Sequence, residues 1–157
     1  MHVRDIMSRP VTVAPDATMH DVAQTMMRRG VTAVVVLDED DRARGIITER
    51  DFAEHGELPY SSLGAPTVLR RPLGGRGAIM AFEDARTTLA HRVMRPLDAV
   101  LEESEPMEKA LDLMLHRGKR NVVVLREGRA VGVVSFQDLV RLAARDEVRR
   151  TARLELV

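Results

Sequence analysis

The chain of 157 residues has no cysteine and no tryptophan, and its aromatic residues are one tyrosine and three phenylalanines. Without cysteine, disulfides and thiolate metal sites are excluded, and the composition suits a reducing compartment. Basic and acidic residues number 24 each, so the formal net charge is zero. The electrostatic footprint of a nucleic-acid or membrane-surface binder is therefore missing. No apolar run approaches the roughly 20 residues of a membrane span, and Met1-His2-Val3-Arg4-Asp5 lacks the apolar core of a signal peptide. A soluble cytoplasmic protein is the expectation. The length is that of one ordinary domain, enough to bury roughly 70% of the unfolded surface.

What is present is a duplication. Gly45-Ile46-Ile47-Thr48-Glu49-Arg50-Asp51 returns 87 residues later as Gly132-Val133-Val134-Ser135-Phe136-Gln137-Asp138. The first copy opens with a β-type run, Val11-Thr12-Val13, and Pro15 to Thr18 supply turn and N-cap residues. Met19, Val22, Ala23, Met26 and Met27 then mark one face of a helix, with Gly30 as its stop. Val34 to Leu37 read as a buried strand, Asp38 to Arg44 as a charged turn, and Gly45 as the start of the next strand. Thr48 ends that strand and begins a helix through Asp51, Phe52 and Ala53. The second copy repeats the order. Met107, Ala110, Leu111, Met114 and Leu115 form the helix face, and Gly118 takes the place of Gly30. Val122 to Leu125 form the strand, and Arg126 to Val131 a turn one residue shorter than in the first copy. The unit is strand, helix, strand, strand, helix. Two such units imply an α/β (α+β) fold with a pseudo-twofold axis.

Thr48-x-x-Asp51 and Ser135-x-x-Asp138 stand where a strand gives way to a helix. A capping box needs no more than this: the hydroxyl accepts from a backbone N–H and the carboxylate returns the bond. The same geometry also suits a ribose-phosphate. A helix N-terminus attracts phosphate, and an ionised carboxylate accepts hydrogen bonds from vicinal ribose hydroxyls. Arg50 adds positive charge to the first site, whereas Gln137 adds none to the second.

With Asp5-Ile6-Met7-Ser8 and Arg92-Val93-Met94-Arg95 as opening motifs, the chain resembles a tandem pair of cystathionine-β-synthase (CBS) domains, a Bateman module. The resemblance covers about Val3 to Phe52 and Val93 to Ala143. It implies two β-α-β-β-α repeats with their small sheets packed together, helices outside, and two clefts between them. It also implies AMP, ADP, ATP or S-adenosylmethionine as regulatory ligand, with no obligatory cofactor. On that analogy Asp51 and Asp138 hold ribose hydroxyls, and Thr48 and Ser135 contact phosphate. Thr12 and Val13, with Ala99 and Val100 in the second copy, lie beside the base, and Ala33 and Asn121 line the clefts. Ala99 is aligned with Thr12, and Glu102-Glu103-Ser104-Glu105 replaces a proline-containing turn. The first site, with Thr12 and Arg50, is accordingly the better one for a phosphorylated ligand. Lys119 and Arg120 can restore positive charge to either.

The division expected is repeat 1 over residues 1–55, a linker over 56–91, repeat 2 over 92–143 and a helical tail over 144–157. Thr67 to Leu69 and Ala78 to Phe82 flank a glycine-rich turn as a candidate hairpin. No two of the five histidines are spaced as a close metal-binding pair, and no metal site is assigned. The Met-rich helix faces read as core, and Asp38 to Asp41 as a solvated turn rather than a calcium loop. No catalytic motif appears, so no enzyme activity is expected. The tail's helical pattern runs back to Leu139, with an apolar side and an arginine stripe of Arg141, Arg145, Arg149, Arg150 and Arg153, suited to packing on the linker or a second subunit. The expected protein is a stand-alone sensor, homodimeric, with an unknown target protein, no membrane and no nucleic acid as partner. Its alternatives are a scaffold module with empty clefts and a metal-linked stress-response protein of the same fold.

Overall fold

The computed structural model describes residues 1–55 and 85–154. The candidate hairpin and glycine-rich turn lie outside the described residues. The chain forms two compact units. One runs without interruption from Val11 to Leu97; the other is composite, made of Met1–Pro10 and Asp98–Val157. Each holds a three-stranded mixed sheet and its own hydrophobic core.

In the uninterrupted unit, β1 (Thr12–Val13), α1 (Met19–Arg29), β2 (Ala33–Leu37), β3 (Ala43–Thr48) and α2 (Glu49–His55) follow in order. A short helix, α3 (Ala90–Val93), closes it. β2 lies between β1, to which it is parallel, and β3, to which it is antiparallel. α1 starts at Thr18, whose hydroxyl accepts from the Asp21 N–H at 3.1 Å while the Asp21 carboxylate reaches back to the Thr18 N–H. It stops at Gly30, which adopts φ +61°, a left-handed conformation that suits glycine. Met19, Val22 and Met26 of α1 meet Val34 and Val36 of β2, Ile47 of β3 and Phe52 of α2 in the core.

The composite unit repeats the plan with β4 (Val100–Glu102), α4 (Met107–Leu115), β5 (Asn121–Arg126), β6 (Arg129–Ser135) and α5 (Phe136–Leu154). β5 is parallel to β4 and antiparallel to β6. A 3-10 turn, Val3–Asp5, leads the unit. Val3, Ile6, Ala110, Met114, Val122, Val124 and Val134 make its core.

Three expectations are corrected. Met27 and Leu115, counted on the apolar helix faces, are 71% and 62% exposed; the buried stripe is narrower and ends at Met26 and Met114. The turn between β5 and β6 is only Glu127-Gly128, both with positive φ, and not Arg126 to Val131. This two-residue hairpin geometry lets the ladder extend to the Arg126–Arg129 pair. Finally, Thr12 pairs with Val35 as Val100 pairs with Val123, so Val100 and not Ala99 stands at the position of Thr12. Ala99 matches Val11: each gives its carbonyl to the N–H of the same valine of the central strand, at 2.9 Å. The stretch after Met94 is one residue longer than that after Met7, which moves the alignment by one.

The two sequence repeats exchange their opening segments, each of which lies in the compact unit built on the other repeat. In the uninterrupted unit, the Ala90 N–H donates to the Ala17 carbonyl at 2.8 Å, and Arg95 bridges Ile46 of β3 at 3.0 and 2.9 Å. In the composite unit the Val3 N–H donates to the Glu105 carbonyl at 2.8 Å, and Ser8 bridges Val133 of β6 with both bonds at 3.0 Å. The segment that precedes one repeat in sequence thus closes the sheet of the other. Gly45 and Gly132 sit under these crossings; a Cβ on Gly45 would lie 2.7 Å from the Arg95 carbonyl oxygen, and one on Gly132 2.3 Å from the Met7 sulfur.

Candidate functional site

The alternation of each hairpin sets where the candidate residues stand. Ala33 begins β2 opposite Thr48 at the end of β3, and Asp51 follows in the first turn of α2. Asn121 begins β5 opposite Ser135 at the end of β6, and Asp138 follows in the first turn of α5. The fold therefore brings Ala33, Thr48 and Asp51 together in one unit, and Asn121, Ser135 and Asp138 together in the other. Arg50 is exposed beside Asp51. Thr12 and Val13 lie on the far side of the central strand, opposite Val35 and Val36, and Val100 opposite Val123. These three sit further along the sheet than the hydroxyl-carboxylate pairs.

Asp51 and Asp138 are the buried charged residues among those described, at 0% and 4% exposure. Burial of a carboxylate demands compensation, and the partners are present. Asp51 Oδ2 accepts from the Thr48 N–H at 2.7 Å and from the Thr48 hydroxyl at 3.2 Å. Its Oδ1 accepts from Arg95 Nε. Asp138 Oδ2 accepts from the Ser135 N–H at 2.8 Å and from the Ser135 hydroxyl at 2.7 Å. Its Oδ1 accepts from the Ser8 hydroxyl and, at 2.9 Å, from Arg141 Nη1. Arg141 donates to Ser8 Oγ at 2.9 Å as well. The carboxylate limb of the capping box is thus formed in both repeats. Each hydroxyl donates to its carboxylate, which leaves its oxygen lone pairs for a further donor.

Arg95, Ser8 and Arg141 did not emerge from the sequence as site residues. Arg95 and Ser8 hold equivalent places in the two opening motifs, and each reaches the aspartate of the other repeat. Arg141 belongs to the tail's arginine stripe, yet three residues after Asp138 it faces that carboxylate. Beside Asp138 lies a small cavity of about 90 Å³, bordered by Asp5, Ser8, Arg141 and Arg145 among others.

The acidic turn of the second copy is internally balanced. Glu103 binds Arg126 through two bonds of 2.5 Å, which hold its carboxyl below the usual carboxylate range. Glu105 is held low by Lys109 and by the Glu102 N–H, which donates to it at 2.9 Å. Lys119 pairs with Asp98. Asp38 organises its turn by accepting from the Arg42 and Asp40 N–H groups at 2.9 Å each, and these bonds lower its carboxyl. Among the described residues no group of three or more histidines and carboxylates is placed to hold a metal ion. No described helix is long and apolar enough to cross a membrane.

The family model of the CBS domain matches residues 3–57 and 90–145, well over half of the chain. The chain belongs to the CBS domain family. It carries a tandem CBS pair. A solved CBS domain of a CBS domain-containing membrane protein from Sphaerobacter thermophilus is 31% identical, with TM-score 0.73 over 90% of this chain and 87% of that one. Hypoxic response protein 1 of Mycobacterium tuberculosis is 27% identical over 139 residues, 88% of this chain and 82% of its own length. A structure of Hypoxic Response Protein I with two coordinated zinc ions has TM-score 0.65 at 25% identity, covering 90% of this chain and 98% of that one. The Arabidopsis thaliana CBS-pair protein CBSX2 has TM-score 0.71 at 18% identity, over 93% and 96% of the chains. CBSX2 has also been solved in complex with AMP, TM-score 0.68 over 93% and 98%. At that identity it shows the fold alone. The chain spans 64% and 57% of the length of two relatives it matches, uncharacterised proteins of Acidianus ambivalens and Methanopyrus kandleri.

Proposed function

We propose that this CBS pair is a regulatory module that binds an adenine nucleotide or related adenosyl ligand and relays the change to a partner protein. The observation that carries the reading is the pair of buried carboxylates, each in the first turn of a helix beside a strand-end hydroxyl. In this reading Asp51 and Asp138 take ribose hydroxyls, and Thr48, Arg50 and Ser135 serve phosphate. Thr12, Val13, Ala33, Val100 and Asn121 supply the surrounding walls. CBSX2 in complex with AMP supports the ligand class. A ligand shifts the module's equilibrium only by binding one arrangement better than another. A homodimer in the cytoplasm, without catalysis of its own, completes the reading.

One observation favours the scaffold alternative: both carboxylates already hold internal donors and act as caps. A thermal-shift series separates the two. Wild type, Asp51→Asn and Asp138→Asn are melted with AMP, ADP, ATP, S-adenosylmethionine and NAD. A ligand at about 100 times its Kd adds about 2.7 kcal/mol, or roughly 5–10 °C for a chain of this size. A rise that one variant loses identifies the occupied site. No rise with any of them at millimolar concentration leaves the aspartates as caps and the scaffold reading standing.

A further inference from the structure

Asp138 is covered by a hydroxyl from a distant part of the chain. Its Oδ2 accepts from the N–H and hydroxyl of Ser135, as the capping box requires. Its Oδ1 accepts from Arg141 Nη1 at 2.9 Å and from the hydroxyl of Ser8, 130 residues earlier in sequence. Arg141 also donates to Ser8 Oγ at 2.9 Å. The serine hydroxyl thus gives its proton to the carboxylate and takes one from the guanidinium. A ribose hydroxyl set between an aspartate and an arginine is bonded in the same way.

Space decides whether Ser8 and a ligand share the carboxylate. Asp138 is 4% exposed. The cavity beside it, bordered by Ser8, Asp138 and Arg141 among others, holds about 90 Å³, well below the roughly 300–1,000 Å³ of a small-molecule pocket. Turning the serine side chain frees the oxygen but makes no room for a sugar. The backbone on that side belongs to the opening segment, tied to β6 by the two Ser8–Val133 bonds of 3.0 Å.

Resting on the nucleotide reading above, we infer that Ser8 is an internal stand-in for a ribose hydroxyl. It holds Asp138 in the free protein, and a nucleotide at the second site displaces it together with the opening segment. The carboxylate exchanges one hydroxyl donor for another, so its buried charge is never left short of partners. What the ligand must overcome is the release of Ser8 and its two bonds to Val133. Arg9 and Pro10 end the opening piece of the composite unit, and Val11 begins the other unit. The segment that yields is therefore the covalent path from the Asp138 site to the other unit, which gives the relay a named element.

Isothermal titration of the full chain with AMP tests the competition, with Asp138→Asn identifying the second site. Ser8→Ala leaves Asp138 Oδ1 short of a donor in the free protein, so AMP should bind the second site about tenfold more tightly than in wild type. Ser8→Thr keeps the hydroxyl and should return the affinity to the wild-type value. Hydrogen exchange of wild type needs no variant: saturating AMP should speed exchange of the Ser8 amide about tenfold, because its bond to Val133 is released. Equal or weaker AMP binding in Ser8→Ala overturns the stand-in. Unchanged or slower exchange overturns the displacement of the segment, and nucleotide binding stands in both cases. AMP binding that Asp138→Asn leaves intact removes the second site as an AMP site and the inference with it. Absence of heat from AMP with folded wild type and Ser8→Ala overturns the nucleotide reading as well.

Discussion

Gly45→Ala is the sharpest test of the exchanged segments. Neither Gly45 nor Gly132 has a positive φ, so alanine meets no backbone strain and the effect is steric. At Gly45 the new methyl lies 2.7 Å from the Arg95 carbonyl oxygen and 2.9 Å from Met94 Cγ and Sδ. The nearest of these atoms is backbone, fixed by the two bonds to Ile46. At Gly132 the three nearest atoms belong to the Met7 side chain, at 2.3, 2.7 and 3.0 Å. Overpacking costs about 1–3 kcal/mol, with flexible neighbours at the low end. We expect about 3 kcal/mol for Gly45→Ala and about 1 for Gly132→Ala. At this length those values are roughly 6–12 °C and 2–4 °C in melting temperature. Calorimetry of the single and double variants adds the decisive comparison. Met7→Ala should couple favourably with Gly132→Ala by at least 1 kcal/mol, because it removes the two nearest atoms. Met94→Ala should couple more weakly with Gly45→Ala, because the Arg95 carbonyl remains. Equal destabilisation with equal rescue in the two units would refute the assignment of a backbone crossing over Gly45.

Other outcomes follow from the same geometry. Thr18→Ala removes the hydroxyl that accepts from the Asp21 N–H and should cost about 1 kcal/mol, checked by urea denaturation; a change below a few tenths would mean the cap is idle. Met26→Ala should cost about 2–5 kcal/mol and Met27→Ala less than about 0.5, since Met26 is 6% and Met27 71% exposed; comparable losses would contradict the narrow apolar stripe. Asp38, Glu103 and Glu105 have carboxyls held low by an N–H donor, Arg126 and Lys109 respectively. Their contribution is present above the unfolded carboxylate range and lost as pH falls through and below it, so stability should decline from about pH 5 to pH 3. Glu103→Gln should make that decline shallower, and an identical slope would sink the attribution.

The parts that could be read in the sequence are those governed by local rules. Valine runs, the Thr18 cap, the Gly30 stop and the hydroxyl-carboxylate spacing depend on neighbours a few residues away, and they formed where their patterns stand. The width of the helix stripe escaped because a 3.6-residue period does not say how far a neighbouring element reaches around it; Met27 and Leu115 satisfy the period and face away. The register of Thr12 against Val100 escaped because one extra residue before β4 has no pattern of its own. Arg95 and Ser8 escaped for a different reason. They attach through single bridges to a strand far away in sequence, and an isolated bridge imposes no periodicity. Arg141 looked like one member of a basic stripe until its helix turned it onto Asp138.

The exchange of opening segments changes what it means to divide this protein. The stretch between His55 and Ala85 is the natural place to cut by sequence, yet a cut there leaves each fragment holding part of both cores: Val3 and Ile6 depart with the first fragment, Ala90 and Val93 with the second. Such halves are not two small proteins but two incomplete ones, each carrying the piece the other needs. Residues 11–97, by contrast, are contiguous and could be released whole, whereas the composite unit requires its two chain ends to be joined afresh. The boundary between the repeats in the sequence is therefore not the boundary between the compact units of the fold.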